Sequence, residues 1–453
     1  MTTHPEAFDL LYSMCLLPDG TSYEMLSNCW AKNLRDIRGA LDFLEGMSLV
    51  EQTGSTYSVL PVIRRYVPRP PWFFYAVRTS MIEAACAFLK QHDSVIGDPL
   101  YKAQSAVLSA EERNLEAILL LARVPSVRVI RDGLLSLAYY QCYHRPRLIV
   151  IEHALTLVRA TDNKLLHGSV LLCYGNIAFR LDQYSLSLNQ LEKALHFFLF
   201  AKDRRMVAEC RLSLENTLRY HLDSDFQSRK KIISQAQFDY ESNNDEIGVA
   251  RCQFALGRLL SQYRHLSEAI ELLEWAGGVF AQFKDQHRYA ECTAILAKTY
   301  CRLSDHDLAY YYATTALNEY EIVHDLRGYC GTMIDLGRIL SARGDYEGSL
   351  ETLLHSFKVR KSMALPPSGG ALEGVGLAWA NLGNIDNARN AFQEALQQYS
   401  SQESAYYSET DIVRCQFFLK RLRDRELQPT PTEYLALWRW YPQDYLLGIL
   451  CIL

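Results

Sequence analysis

The sequence predicts an all-α chain: an array of stacked helical hairpins behind a small N-terminal domain that alone carries strands. Three observations predict it. A helical phrase recurs about every forty residues, apolar residues keep helical spacing within each recurrence, and strand-like alternation is confined to residues 48–60. The phrase stands at Leu214 to Tyr220, Ala255 to Leu260, Ile295 to Tyr300 and Asp335 to Leu340. Aligning one position in it, mostly glycine or alanine, gives residues 175, 215, 257, 297, 337 and 376, spaced 40, 42, 40, 40 and 39 apart. A fixed period of roughly 20 to 50 residues means stacked supersecondary units, because a lone helical hairpin cannot bury its apolar face. Such an array is expected to bind rather than to catalyse.

The elements follow in order. Glu6 to Tyr12 reads as a short helix, Leu16 to Gly20 as a turn, Thr21 to Ala31 as a second helix, and Leu34 to Gly46 as a third with Ile37, Leu41 and Leu44 on one face. Ser48 to Thr53 and Thr56 to Leu60 alternate like strands across a Gly54-Ser55 turn, and Val62 to Val67 begins a last helix. Three helices and a small hairpin make a winged helix, assigned to residues 1–67. A helical connector is expected over 68–160, the repeats over 161–425 and a tail over 426–453.

Each repeat reads as two helices. After Gly257 come Leu260, Leu266, Ala269, Leu273 and Ala276; after Gly337 come Leu340, Tyr346, Leu353 and Phe357. Glycine inside a helix costs about 1 kcal/mol against alanine, so its recurrence at 175, 257, 337 and 376 marks places where backbones approach closely. Arg343-Gly344-Asp345 and Leu382-Gly383-Asn384 are the turns inside two repeats. Asp203, Asp245, Asp285 and Asp325, spaced 42, 40 and 40, read as N-caps of the helices that follow. Tyr406 to Arg421 resembles one more first helix. The tail ends in Tyr445 to Leu453, an apolar run too short to cross a bilayer, which caps the last repeat, contacts a partner or is an artefact of the gene boundary.

Composition agrees with a soluble, cytoplasmic protein of more than one folding unit: 453 residues, 49% hydrophobic and 22% charged. A net charge of −5 gives no general attraction to nucleic acid or anionic membrane. No signal peptide or membrane span is read. The twelve cysteines form no Cys-x-x-Cys pair; Cys210, Cys252, Cys292 and Cys415 each precede a leucine by four residues and read as small apolar residues between helices. The histidines are isolated, with no His-Glu-x-x-His and no Gly-x-Ser-x-Gly, so neither metal, cofactor nor enzymatic activity is expected.

Over about 171–400 the residues resemble the tetratricopeptide family, with a repeat about six residues longer than that family's usual thirty-four. The resemblance implies a right-handed superhelix whose first helices line a concave groove. The position after the aligned small residue would point into it, which gives Asn176, Asn216, Arg258, Lys298, Arg338 and Leu377. One turn further stand Arg180, Tyr220, Gln262 and Arg302, on the same helix face. The Asn-Asn-Arg order is similar to part of the carboxylate clamp of chaperone-binding members, whose lysines would fall at Leu172 and Phe254. Two readings of the row stay open: solvated polar residues, or a groove for an acidic peptide or a C-terminal carboxylate. The tyrosines, 28 in all and clustered at Tyr139-Tyr140 and Tyr310-Tyr311-Tyr312, read as packing or as contact surface.

The N-terminal wording resembles the winged-helix domain of STAND regulators, the NB-ARC and NACHT group. It is carried by Leu16 to Gly20, Ala40 to Leu44, Ser48 to Glu51 and Tyr57 to Tyr66; Glu111 to Leu119 is similar to the family's connecting helix. There the winged helix follows a nucleotide-binding domain and precedes a repeat sensor. This sequence has no Gly-x-x-x-x-Gly-Lys-Ser/Thr loop, and Leu60 stands where the family's phosphate-contacting histidine would be. The expectation is the C-terminal half of such a regulator, a sensor arm that binds a protein or peptide, with nucleotide involved only through a separate NTPase domain. The alternatives are a DNA-binding regulator with a repeat sensor and a subunit of a split NTPase switch. Five Lys/Arg against eight Asp/Glu in residues 1–67 count against DNA.

Overall fold

The computed structural model describes residues 5–31, 34–67, 71–92, 101–220, 225–362, 368–400 and 409–423. The expected tail, with its Tyr445 to Leu453 run, lies outside them. The chain divides into two compact units between Thr217 and Leu218.

The first unit opens with helix α1 (Pro5–Cys15), strand β1 (Thr21–Ser22), a short helix α2 (Tyr23–Met25) that widens into a π turn over Leu26–Trp30, and α3 (Ile37–Gly46). Strands β2 (Val50–Thr53) and β3 (Thr56–Val59) and helix α4 (Pro61–Tyr66) follow. The three strands form an antiparallel sheet in the order β1-β3-β2, with Thr21 opposite Tyr57 and Val50 opposite Val59. The expected helix from Thr21 is therefore wrong at its start. Gly20 at φ +72° lies so close to Tyr57 that an added Cβ would meet its carbonyl oxygen at 2.6 Å, and this turn sends Thr21 and Ser22 along β3. Ser22 then caps α2 by accepting from Met25 N at 3.1 Å. Leu10, Leu11, Met14, Leu17, Leu26 and Leu41 are fully buried here.

Helices α5 (Pro71–Gln91) and α6 (Tyr101–Leu119), a π turn at Val129–Leu135, α7 (Ser136–His144) and α8 (Ile149–Val158) come next. One turn of α6 fastens the N-terminal elements. Asn114 donates to Gly20 O at 2.8 Å and accepts from Asp19 N at 3.2 Å, Arg113 pairs with Asp19 at 2.7 Å, and Glu111 accepts the Trp30 indole N–H at 3.3 Å. Burial pushes the Glu111 carboxyl up, against the hydrogen bonds from Asn114 and Trp30. The helices α9 (Lys164–Arg180), α10 (Tyr184–Ala201) and α11 (Arg204–Leu218) complete the unit.

The second unit continues the alternation: α12 (Phe226–Glu241), α13 (Glu246–Gln262), α14 (Leu266–Gln282), α15 (Gln286–Leu303), α16 (His306–Ile322), α17 (Leu326–Ala342), α18 (Tyr346–Ser362), α19 (Gly369–Asn381), α20 (Ile385–Ser400) and α21 (Glu409–Arg423). First and second helices meet where the sequence puts glycine. A Cβ on Gly175 would sit 2.6 Å from Leu191 Cγ, one on Gly257 2.9 Å from Leu273 Cγ, and one on Gly337 2.6 Å from Leu353 Cγ. Each partner leucine lies sixteen residues on and is fully buried. In the copy where the position is Ala297, the residue sixteen later is Ala313, and the pair shares one core cluster. Leucine fills the gap a glycine leaves, and alanine meets alanine.

Four joints between repeats share one construction. The aspartates Asp203, Asp245, Asp285 and Asp325 each accept from a backbone N–H two or three residues on, at 2.8–3.1 Å, so they are the N-caps the spacing predicts. Each also donates its own N–H back to the carbonyl of Phe198, Tyr240, Phe280 or Tyr320, closing the preceding helix. The residue before each cap, Lys202, Asn244, Lys284 or His324, takes a positive φ of 52–59°. That conformation costs an L-residue roughly 1–2 kcal/mol. Lys284→Gly is therefore expected to stabilise the fold by up to about 1 kcal/mol in urea unfolding, the gain reduced by glycine's greater freedom in the unfolded chain.

The four repeat cysteines are fully buried, and burial pushes the thiols of Cys210, Cys292 and Cys415 up, so they are protonated packing residues. Among the described residues no helix is long and apolar enough to cross a membrane, and no group of three or more His, Cys, Asp or Glu is placed to hold a metal.

Candidate functional site

Three candidate residues of the second unit span from one first helix to the next. Arg302 of α15 donates through Nη1 to Ser261 O at 3.0 Å and Ser261 Oγ at 2.9 Å on α13. Lys298 of α15 reaches Asp335 Oδ2 of α17 at 2.9 Å. Arg338 of α17 donates through Nη2 to Gly370 O of α19 at 3.3 Å and lies 3.6 Å from Asp335 Oδ1. A four- or five-atom cationic stem is long enough to cross the gap between neighbouring helices while its head stays near water. Helices α13, α15, α17 and α19 therefore share one polar face.

The remaining candidates of this unit border that face or fold back on their own helix. Gln262 of α13 accepts from Arg229 Nη1 of α12 at 3.1 Å. The Arg258 guanidinium lies 5.5 Å from the ring centre of Phe254, one turn earlier. Tyr220 takes the Arg219 guanidinium over its ring at 4.3 Å and hydrogen-bonds it through the hydroxyl. In the first unit Asn176 on α9 and Asn216 on α11 are half-buried, and Arg180 lies over the Tyr143 ring of α7 at 4.9 Å. Leu377 is buried, so the row does not extend to it.

Asp335 is the residue the row was missing. Its side chain is 9% exposed and carries one negative charge between Lys298, at 37%, and Arg338, at 15%. Asp335 partly neutralises both cations, so an incoming carboxylate meets a weaker attraction here than the row of cations alone would exert. The sequence did hold a signal: Asp335 stands at the register of Ser213, Ala255 and Ile295, an acid where those copies are uncharged. A second feature is a buried hydroxyl pair on successive first helices, Ser261 Oγ and Thr299 Oγ1, 2.8 Å apart, and the Ser261 hydroxyl is also the acceptor for Arg302.

No protein-family model matches the chain, and no curated protein matches it in sequence. Solved structures do match. A Rap protein complexed with competence and sporulation factor superposes with a TM-score of 0.50 at 14% identity, over 76% of this chain and 98% of that one. The array is a tetratricopeptide-like fold. A STAND protein with a tetratricopeptide repeat sensor from Pyrococcus horikoshii matches over 93% of this chain with a TM-score of 0.45 at 13% identity, and this chain spans 65% of its length. NprR in complex with its cognate peptide NprX gives a TM-score of 0.45 at 14% identity, over 65% of this chain and 84% of that one.

Proposed function

We propose that this chain is a non-catalytic sensor arm that holds a protein or peptide partner on the face formed by α13, α15 and α17. The observation that carries the reading is the chain of half-buried donors passing from first helix to first helix, Arg302 to Ser261, Lys298 to Asp335 and Arg338 to Gly370. A lysine such as Lys298, already steadied by a neighbouring helix, gives up little further side-chain entropy on taking a ligand, which favours a ligand rich in acceptors. A carboxylate would sit on Lys298, the more exposed of the two cations on Asp335. That the Rap protein with this fold is complexed with a factor supports a ligand-holding role for the array.

The N-terminal elements are read as a winged helix of the STAND kind, with α6 as the segment that ties it to the array. The fastening of Asn114 and Arg113 to the Asp19-Gly20 turn supports this reading, since it makes α1 to α4 and α6 one mechanical piece. DNA binding is disfavoured because Arg38, the basic residue within α3, is committed to its own domain: it lies over the Tyr23 ring at 5.2 Å and donates to the Tyr57 hydroxyl at 3.3 Å.

Lys298→Gln combined with Arg258→Gln tests the face with little risk to the fold, since both side chains are only half-buried. Peptides selected from a random library on the full chain are expected to lose about tenfold or more in affinity, by fluorescence anisotropy, for this double variant. Unchanged affinity with an unchanged melting curve would refute the reading.

A further inference from the structure

We propose that the second helices α14 and α16 form a separate docking surface for an arginine-rich segment of a partner protein. Charge is segregated sharply between α14 and α16 and the first helix between them. Helix α14 carries Glu268, Glu271 and Glu274, α16 carries Asp307, Glu319 and Glu321, and neither has a lysine or arginine. Helix α15 between them in sequence carries Arg288, Lys298 and Arg302 against Glu291 alone. The second helices on either side, α12 and α18, hold three basic residues each, so the acidity belongs to α14 and α16 and not to second helices in general.

The acids stand among exposed aromatic rings. Trp275 is 46% and Tyr311 60% exposed, and Tyr310 is exposed beside it. Tyr300 and Tyr312 stack with centroids 5.3 Å apart and planes within 5°, and both hydroxyls donate to Glu274 Oε1, at 3.1 and 3.4 Å. Burial first, then the Glu274 carboxylate, pushes the Tyr300 phenol up to about 12, so it remains a donor. The Tyr312 contact places α14 and α16 side by side at this point.

The surface already shows how it takes a guanidinium. Arg343, from the turn after α17, lies over the Tyr310 ring at 4.8 Å and pairs with Asp307 at 3.2 Å. A planar cation seated on a tyrosine face with a carboxylate at its edge satisfies both its π face and its N–H fork, which an ammonium does not do. Tyr311 is in T-shaped contact with Tyr312 at 5.3 Å, and Tyr312 in turn donates to Glu274, so one tyrosine links a second exposed ring to a second carboxylate, the components an arginine from outside would use. Charge complementarity names the occupant: an extended basic segment, with arginine preferred over lysine.

The test uses the full chain and three fluorescein-labelled nine-residue peptides in which glycine alternates with arginine, lysine or glutamate. The arginine peptide is expected to bind most tightly, more weakly as salt rises, and roughly tenfold more weakly to Glu271→Gln/Glu274→Gln/Asp307→Asn. Tyr310→Ala/Tyr311→Ala should remove the preference for arginine over lysine. The Lys298→Gln/Arg258→Gln variant should leave arginine-peptide binding intact, which separates this surface from the first-helix face. Equal binding of the arginine and glutamate peptides, no binding of the arginine peptide, or full binding to the neutralised variant would each overturn the proposal.

Discussion

Replacing Arg414 with methionine is expected to cost about 3–5 kcal/mol, because it leaves a buried carboxylate without its counter-charge. Arg414 donates through Nε and Nη2 to Glu373, the latter at 2.6 Å, and through Nη2 to Asp411 at 2.7 Å. The Glu373 side chain is fully buried and also accepts the Tyr399 hydroxyl at 2.9 Å. Burial works against the arginine's charge, but Glu373 outweighs it and holds the guanidinium well above its ordinary range. The pair joins α21 to α19, so the loss should appear first as faster hydrogen exchange in α19, α20 and α21, since an array unfolds through its nearest-neighbour interfaces. Glu373→Leu with Arg414→Met should recover much of the loss, because removing both charges leaves neither one unpaired. A single variant as stable as the parent would show that the pair is solvated.

The second large effect lies at the close approach of α17 and α18. Leu353→Ala should cost about 2–5 kcal/mol, since the leucine is fully buried and packs under Gly337. Gly337→Ala alone should cost about 1–3 kcal/mol from crowding Leu353, less the helix propensity it gains. Together the two changes recreate the Ala297–Ala313 pairing two helices earlier, so the double variant should cost clearly less than the two single losses combined. Urea unfolding of the four proteins measures the coupling; strict additivity would mean that the glycine–leucine contact is loose.

Much of this packing was legible because period and chemistry coincide. The glycines at 175, 257 and 337 and the aspartates at 203, 245, 285 and 325 recur in one register, and each does locally what its residue type does best: close approach and N-capping. The aromatic ladder Phe198, Tyr240, Phe280 and Tyr320 recurs at the same spacings and went unread, because its role depends on the carbonyl that each residue offers to the following cap. The start of the second helix differs from the expectation because a two-residue strand has too few residues to show alternation; its cause is the contact of Gly20 with Tyr57, thirty-seven positions away.

The candidate row was legible only as to which helices carry it. Helical register put Arg258, Lys298 and Arg338 at equivalent places on successive first helices. It did not reveal that Lys298 reaches Asp335, which Arg338 contacts three residues away on the same helix, or that Arg302 is tied to Ser261, since Asp335 lies 37 residues from Lys298 and Ser261 lies 41 from Arg302. The division between Thr217 and Leu218 was equally hidden, because the repeat spacing runs through it without a break.

The central claim is that the array holds its partner on the first-helix face. Hydrogen–deuterium exchange of the full chain, with and without a saturating library-selected peptide, tests it most directly. The account predicts slowed exchange at residues 258–262, 298–302 and 335–338, with α12 and α18 unchanged. Protection confined to second helices, or none in α13, α15 and α17 at saturation, would contradict it.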